Sequence, residues 1–269
     1  MRVTFRGVRG SVPWSVPEGI VHGCNTPCIE LYDERTGCLL VLDAGSGIVG
    51  VVPPSLSKAA CPVSLVLTHY HWDHLLGLPF FASLYQPGWD LTMHTPTLTS
   101  HDPAWLDTIF RSPFFPVPYE RLPNKPRVTM ASPGVLDVAG FQVTALDLNH
   151  PGGALAYRVK GEQGDFVYAT DHEFGDPAFD EPLVEFARGA KELVLDAHFT
   201  PDELPLHKGW GHSDWRQCSE FAAANGIGRL WLFHHKPGRT DAALEAIRAE
   251  AQKVFASTQT ACEENFFEI

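Results

Sequence analysis

The first part of the chain alternates short apolar runs with turn residues. Strands are predicted over residues 2–5, 28–32 and 38–43, separated by glycine, proline and asparagine turns. Residues 62–68 (PVSLVLT) form a continuous apolar run rich in β-branched residues, which predicts a strand buried on both faces. A helix over residues 75–84 and a short strand over residues 90–94 should follow.

A segment without clear periodicity comes next, and the strand and helix patterns resume after it. Residues 95–133 contain SPFFPVPYERLPNKP, and we expect an insertion that either covers a site or forms a surface loop. Strands are predicted over residues 140–146, 154–160, 165–169, 192–195 and 229–233, and helices over residues 180–188, 213–225 and 241–255. Two rounds of strands followed by helices predict an α/β fold with two packed sheets and helices outside, in a single domain over residues 1–269.

The composition narrows the partners that this chain can have. It has 269 residues, 44% of them hydrophobic and 19% charged, which excludes a disordered chain. The formal charge of −12 disfavours nucleic acid and anionic lipid as partners. The sequence has neither a membrane-length apolar run nor a signal-peptide core, and its six cysteines form no C-x-x-C pair. We expect a cytoplasmic protein with a small-molecule substrate, and a homodimer is left open.

The densest chemical signal is THYHWDH, residues 68–74, directly after the apolar strand. It places His69, His71, Asp73 and His74 within six positions. A tight loop at a strand end can aim such closely spaced side chains at neighbouring points, which a regular helix cannot do. So many buried imidazoles would lack partners and repel one another when protonated. The motif therefore predicts a metal site.

THYHWDH resembles the H-x-H-x-D-H signature of the metallo-β-lactamase superfamily. Segments LDAG, LNHPGG, YATD and LWLFHHKP follow the order of the other motifs of that superfamily over about residues 1–250. The resemblance implies a four-layered αβ/βα sandwich and a centre of two divalent ions, with zinc expected and manganese or iron as alternatives. It also implies that Asp43, in LDAG, lies beneath the site, where it either orients a ligand or caps a turn.

The resemblance also implies which residues bind each ion. One ion would be held by His69, His71 and His150, the other by Asp73, His74 and His235, with Asp171 bridging them. Strand alternation places only one of the adjacent pair His234 and His235 on the metal side. Alignment of the strand end favours His235, with His234 as the alternative.

Two further segments indicate phosphoester chemistry. Asp171 stands where the best-known β-lactamases of the superfamily have a cysteine, so lactam hydrolysis is disfavoured. Gly211-His212-Ser213 resembles the G-H-S segment of ribonuclease Z and cyclic-phosphate phosphodiesterases, and Asp196 corresponds to a glutamate of ribonuclease Z. We expect His212 to act as general acid and Asp196 to orient it, with Asp73 counted among the catalytic residues as well as the ligands. Alternatively, His212 only precedes a helix capped by Ser213.

These residues together predict a binuclear metal-dependent hydrolase. The expected reaction is cleavage of a small or cyclic phosphodiester by a hydroxide shared between the two ions. The alternatives are a ribonuclease Z-like endoribonuclease, a thioester or lactone hydrolase, and a metal-containing ligand sensor without catalysis. A contact between His198 and substrate also stays open.

Overall fold

The computed structural model describes residues 1–52, 62–97 and 104–269. Its strands are β1 (Arg2–Gly7), β2 (Cys28–Tyr32), β3 (Leu39–Leu42), β4 (Pro62–Val66), β5 (Asp90–Pro96), β6 (Arg127–Ala131), β7 (Gly134–Val138), β8 (Phe141–Leu148), β9 (Ala154–Val159), β10 (Phe166–Ala169), β11 (Glu192–Asp196), β12 (Arg229–Phe233), β13 (Thr258–Thr260) and β14 (Phe266–Glu268). Its helices are α1 (Trp105–Ile109), α2 (Pro177–Ala187), α3 (Trp215–Ala224) and α4 (Asp241–Val254).

The strands form two seven-stranded sheets. The first has the order β14-β1-β2-β3-β4-β5-β6, and the second has the order β13-β12-β11-β10-β9-β8-β7. Strands β3 to β6 pair in parallel, as do β10 to β13, and the remaining neighbours are antiparallel. Because the carboxyl ends of parallel strands meet at one edge, the loops after these strands can build a common site.

Apolar side chains from both sheets form a core between them. Phe5 and Val66 of the first sheet share this core with Tyr168 and Phe233 of the second. A separate apolar cluster packs α2, α3 and α4 against the outer face of the second sheet. On the outer face of the first sheet, α1 and the turns around it cover another cluster. The predicted four-layered α/β sandwich is therefore confirmed.

The structure corrects several predicted elements. Residues 75–84 form short 3-10 turns, Leu78–Phe80 and Ala82–Leu84, instead of one helix. Pro79 removes a backbone donor and disfavours a continuous α-helix there. Strands β6, β7, β13 and β14 were not predicted. The expected insertion contains α1 and ends in β6, and its residues 98–103 lie outside the described residues. Among the described residues, no helix has the length and apolar character needed to cross a membrane.

Candidate metal centre

The candidate site lies where loops leave the carboxyl ends of the strands. His69 follows β4, His150 follows β8, Asp171 follows β10 and His234 follows β12. Asp171 and His234 have φ angles of 58°, and Asp43 after β3 has a φ of 64°. Such left-handed conformations are uncommon for non-glycine residues and occur preferentially at functional sites. These turns change the direction of the side chains at the strand ends.

Three histidines form the first ligand cluster. His69, His71 and His150 each offer a ring nitrogen, and the three atoms lie within 4.8 Å of one another. His150 Nε2 lies 3.1 Å from His71 Nδ1. His69 and His150 are buried, whereas His71 is exposed, so the cluster meets solvent on the His71 side.

The second cluster consists of Asp73, His74 and His234. Asp73 Oδ2 lies 3.1 Å from His234 Nε2 and 3.6 Å from His74 Nε2. Asp171 stands between the two clusters. One of its oxygens, Oδ1, lies 3.9 Å from His69 Nε2 and 3.5 Å from His234 Nε2. Its other oxygen, Oδ2, lies 3.3 Å from His74 Nε2.

The chemistry of these residues suits a divalent metal centre. Among the described residues, His69 Nε2 and His74 Nε2 are buried ring nitrogens without a hydrogen-bond partner. Buried polar atoms normally have partners, so these nitrogens fit the role of metal ligands. Burial, more than any other cause, lowers the pKa of His69 well below its usual value, which favours the neutral imidazole that metals bind. Nitrogen and carboxylate ligands suit zinc, manganese or iron.

The structure places His234, and not the favoured His235, in the ligand cluster. His235 Nε2 lies 2.8 Å from the carbonyl oxygen of Ala261, and its ring packs edge-on against His22. The backbone of His235 also pairs with the N-terminal segment at Arg9. Alternation along β12 does not continue past Phe233, because the left-handed conformation of His234 turns the chain there. The preference for His235 was wrong, and the alternative, His234, occupies the site.

Asp43 orients the ligand loop from beneath. Its Oδ2 lies 2.8 Å from His74 Nδ1 and accepts a hydrogen bond of 2.9 Å from the Tyr168 hydroxyl. Its Oδ1 accepts a hydrogen bond of 2.7 Å from the backbone N–H of Thr68. A carboxylate in this position fixes the tautomer of His74, so that Nε2 faces the cluster as an acceptor.

His212 and Asp196 form a close pair beside the ligand clusters. His212 Nδ1 lies 2.5 Å from Asp196 Oδ2 and 3.8 Å from Asp171 Oδ1. Burial disfavours the charged imidazole, but Asp196 outweighs this effect and raises the pKa of His212 to about 9. His212 is therefore held in its protonated form at neutral pH, as a general acid requires.

The loop before His212 is fixed by Glu173, a residue that the sequence did not single out. Its carboxylate accepts hydrogen bonds from the backbone N–H groups of Gly209 and Gly211, each at 2.8 Å. The carbonyl oxygen of Gly211 in turn lies 3.0 Å from His150 Nδ1. Glu173 thus positions both a candidate ligand and the residue before the candidate acid. Its place two residues after Asp171 is the one sequence signal that could have indicated it.

A second unpredicted contact comes from the N-terminal segment. The backbone N–H of Ser11 donates a hydrogen bond of 2.7 Å to Asp73 Oδ2. Arg9 is fully buried, and its guanidinium donates to the carbonyl oxygens of Gly19, Gly23 and Arg239. The segment that supplies the Ser11 donor is therefore anchored by a buried cation.

His198 lies behind the candidate acid. Its ring stacks on His212 with a centroid distance of 4.6 Å, and its Nδ1 lies 3.0 Å from the carbonyl oxygen of His234. Burial is the main reason that its pKa falls to about 2, so the ring is neutral. The structure therefore shows His198 supporting the ring of His212, and a contact with substrate stays a prediction.

Comparison with known families identifies the fold family. Residues 40–235 match the model of the β-lactamase superfamily domain. The chain belongs to this superfamily. The predicted fold and class, a metal-dependent hydrolase of the metallo-β-lactamase superfamily, are confirmed.

Similar proteins agree with the branch that the motifs indicated. Ribonuclease Z of Thermoplasma acidophilum is 24% identical, over 96% of this chain and 94% of that protein. Ribonuclease Z of Bradyrhizobium diazoefficiens is 25% identical, over 97% of each chain. Among solved structures, the metallo-β-lactamase fold protein YhfI from Bacillus subtilis has a TM-score of 0.72 at 20% identity, covering 99% of this chain and 98% of that one. A diphosphatase from the PhnP family has a TM-score of 0.70 at 19% identity, and the match covers 100% of this chain and 98% of that one.

Proposed function

We propose that this protein is a binuclear metal-dependent phosphodiesterase that cleaves small or cyclic phosphodiesters. The observation that carries the proposal is the His212–Asp196 pair. His212 Nδ1 lies 3.8 Å from Oδ1 of Asp171, the residue that stands between the two ligand clusters. Hydrolysis of an ordinary phosphodiester expels a poor leaving group, an alkoxide, which needs a proton. Acyl substrates with good leaving groups need no such acid.

Each residue of the site has a defined task in this proposal. His69, His71 and His150 would hold one ion, and Asp73, His74 and His234 the other, with Asp171 between them. Two bound ions, expected to be zinc, would supply the nucleophile and neutralise the phosphoryl oxygens. The Nδ1–H group of His212 would donate a hydrogen bond to Asp196. The proton on Nε2 would then be available for transfer to the departing oxygen.

The charge of the chain favours small substrates over polymeric ones. The formal charge is −12, so a long polyanion would be repelled over most of the surface. A small diester interacts mainly with the centre itself, where bound cations dominate the local field. Small phosphodiesters are therefore the preferred substrate class.

RNA processing is the second candidate, because two relatives that align along almost the whole chain are named ribonuclease Z. Cleavage of precursor tRNA by the metal-loaded protein, at rates above those for small diesters, would favour this candidate. The phosphodiesterase proposal predicts the reverse order.

The direct test is hydrolysis by protein loaded separately with Zn²⁺ and Mn²⁺, with a chelator-treated control. The substrates are bis(p-nitrophenyl) phosphate and unactivated cyclic nucleotides. We expect metal-dependent cleavage of both. Fully metallated protein that cleaves neither, but cleaves a lactone or thioester, would contradict the proposal.

A further inference from the structure

Ser213 is a buried serine directly after the candidate acid, and it does not cap the helix that follows. Helix α3 begins at Trp215, and its cap is Asp214. The Asp214 carboxylate accepts hydrogen bonds from the backbone N–H groups of Arg216, at 2.7 Å, and Gln217, at 3.0 Å. The alternative of a helix capped by Ser213 is therefore wrong. Ser213 is 1% exposed, so its hydroxyl needs partners inside the protein.

The Ser213 hydroxyl makes two hydrogen bonds, and both go to the turn after Asp171. Its Oγ donates a hydrogen bond of 2.5 Å to the carbonyl oxygen of His172. It also accepts a hydrogen bond of 3.3 Å from the backbone N–H of Phe174. The turn follows β10 and includes the left-handed conformation of Asp171. Because His212 immediately precedes Ser213, the hydroxyl joins the segment that bears the acid to the turn that bears the candidate bridging carboxylate.

His172 connects the same turn to the candidate ligand His150. The buried His172 ring accepts a hydrogen bond of 3.2 Å at Nδ1 from the backbone N–H of Asn149, the residue before His150. Because this N–H can only donate, Nδ1 is the acceptor and Nε2 carries the proton. Nε2 then donates to Asp180 Oδ1, 3.0 Å away. With both ring nitrogens bonded, the residue whose carbonyl accepts the Ser213 hydroxyl has a fixed position.

The position of the backbone at His212 determines where the acid delivers its proton. A general acid must lie within about 2.6–3.2 Å of the atom that it protonates. A displacement of about 1 Å can cost about 10²-fold in rate. Asp196 holds one ring nitrogen of His212, and Glu173 holds the backbone of Gly211 before it. The Ser213 hydroxyl supplies the corresponding anchor on the other side of His212.

We propose that Ser213 is a positioning residue that holds His212 in place for proton transfer. Its hydroxyl fixes the acid relative to Asp171 and His150, the candidate ligands on the two neighbouring loops. The proposal rests on the proposed phosphodiesterase function, in which His212 is the general acid. Ser213 is buried and acts through His212. Loss of its hydroxyl should therefore impair the reactions that need the His212 proton, and spare those that do not.

Kinetics of Ser213→Ala test the proposal, with Ser219→Ala as the matched control. Ser219 is also buried, and its hydroxyl donates a hydrogen bond of 2.7 Å to the carbonyl oxygen of Trp215 within α3. At full metal content, Ser213→Ala should lose at least about tenfold in kcat on cyclic nucleotides, with KM little changed. Its loss on bis(p-nitrophenyl) phosphate should be much smaller. Ser219→Ala should leave both rates unchanged, although both variants should unfold at somewhat lower urea concentrations than the wild type.

Histidine-ring NMR of the Zn²⁺-loaded protein provides a readout that does not need activity. The His212 ring signals, assigned by their absence in His212→Ala, report the bond to Asp196. We expect them to shift in Ser213→Ala and to stay at their wild-type positions in Ser219→Ala. Unmoved signals in Ser213→Ala, or equal kinetic losses on the two substrates, would overturn the proposal. If the signals move but the wild type cleaves neither diester, the positioning of His212 by Ser213 stands and the proposed function fails.

Discussion

The His150 ring and the backbone of Gly211 are in direct contact, since His150 Nδ1 lies 3.0 Å from the carbonyl oxygen of Gly211. A side-chain carbon added at Gly211 would come within 2.1 Å of the same nitrogen. The loop that bears His212 and the candidate ligand His150 are therefore built as one unit. Only glycine fits at this contact, because a side chain would clash with His150 and because the φ of 85° is one that other residues rarely adopt.

Gly211→Ala should consequently weaken metal binding. The new methyl group displaces His150, so we expect affinity for the ion held by His150 to fall by about 10- to 100-fold, measured by competition with a chelating dye. Gly209→Ala is the control, because Gly209 has a similar φ of 86° but open space around it. Equal metal affinity in the two variants would contradict this account of the contact.

The acid role of His212 predicts a pH dependence. A group that must donate a proton loses activity as pH rises through its pKa, which is about 9 for His212. The rate with cyclic nucleotides should therefore fall above about pH 9. Asp196→Asn removes the charge that raises this pKa and should move the fall to lower pH. If the rate falls at the same pH in both proteins, the fall must be caused by a group other than His212.

Arg9 is expected to matter for stability through its buried hydrogen bonds. Arg9→Met leaves the carbonyl oxygens of Gly19, Gly23 and Arg239 without their donor. We expect a loss of about 3 kcal/mol or more in the free energy of unfolding, measured by urea denaturation. Arg121→Met changes an exposed arginine and should cost less than about 0.5 kcal/mol. Similar losses in both variants would refute a special role for Arg9.

Most of the candidate ligands could be proposed from the sequence because metal chemistry concentrates distinctive residues in short segments. THYHWDH, His150 and Asp171 could all be assigned from their order, and the structure brings them together. The last candidate ligand was assigned to His235 instead of its neighbour because a φ of 58° at His234 is a property of the backbone that alternation does not reveal.

Other features depend on contacts that a sequence does not display. Glu173 acts on backbone N–H groups 36 and 38 residues away, and Ser11 acts on Asp73 through its own backbone. Neither residue belongs to a motif. Strand β6 was missed because its inner positions, Arg127 and Thr129, are polar and line a cavity instead of an apolar core.

The most direct test of the central claim compares two leaving groups in wild type and His212→Ala, both with full metal content. p-Nitrophenolate leaves without help, whereas the alkoxide of a cyclic nucleotide needs a proton. We predict that the variant loses about 10²- to 10⁴-fold in kcat on cyclic nucleotides and much less on bis(p-nitrophenyl) phosphate. Equal losses on both substrates would contradict the assignment of His212 as the general acid.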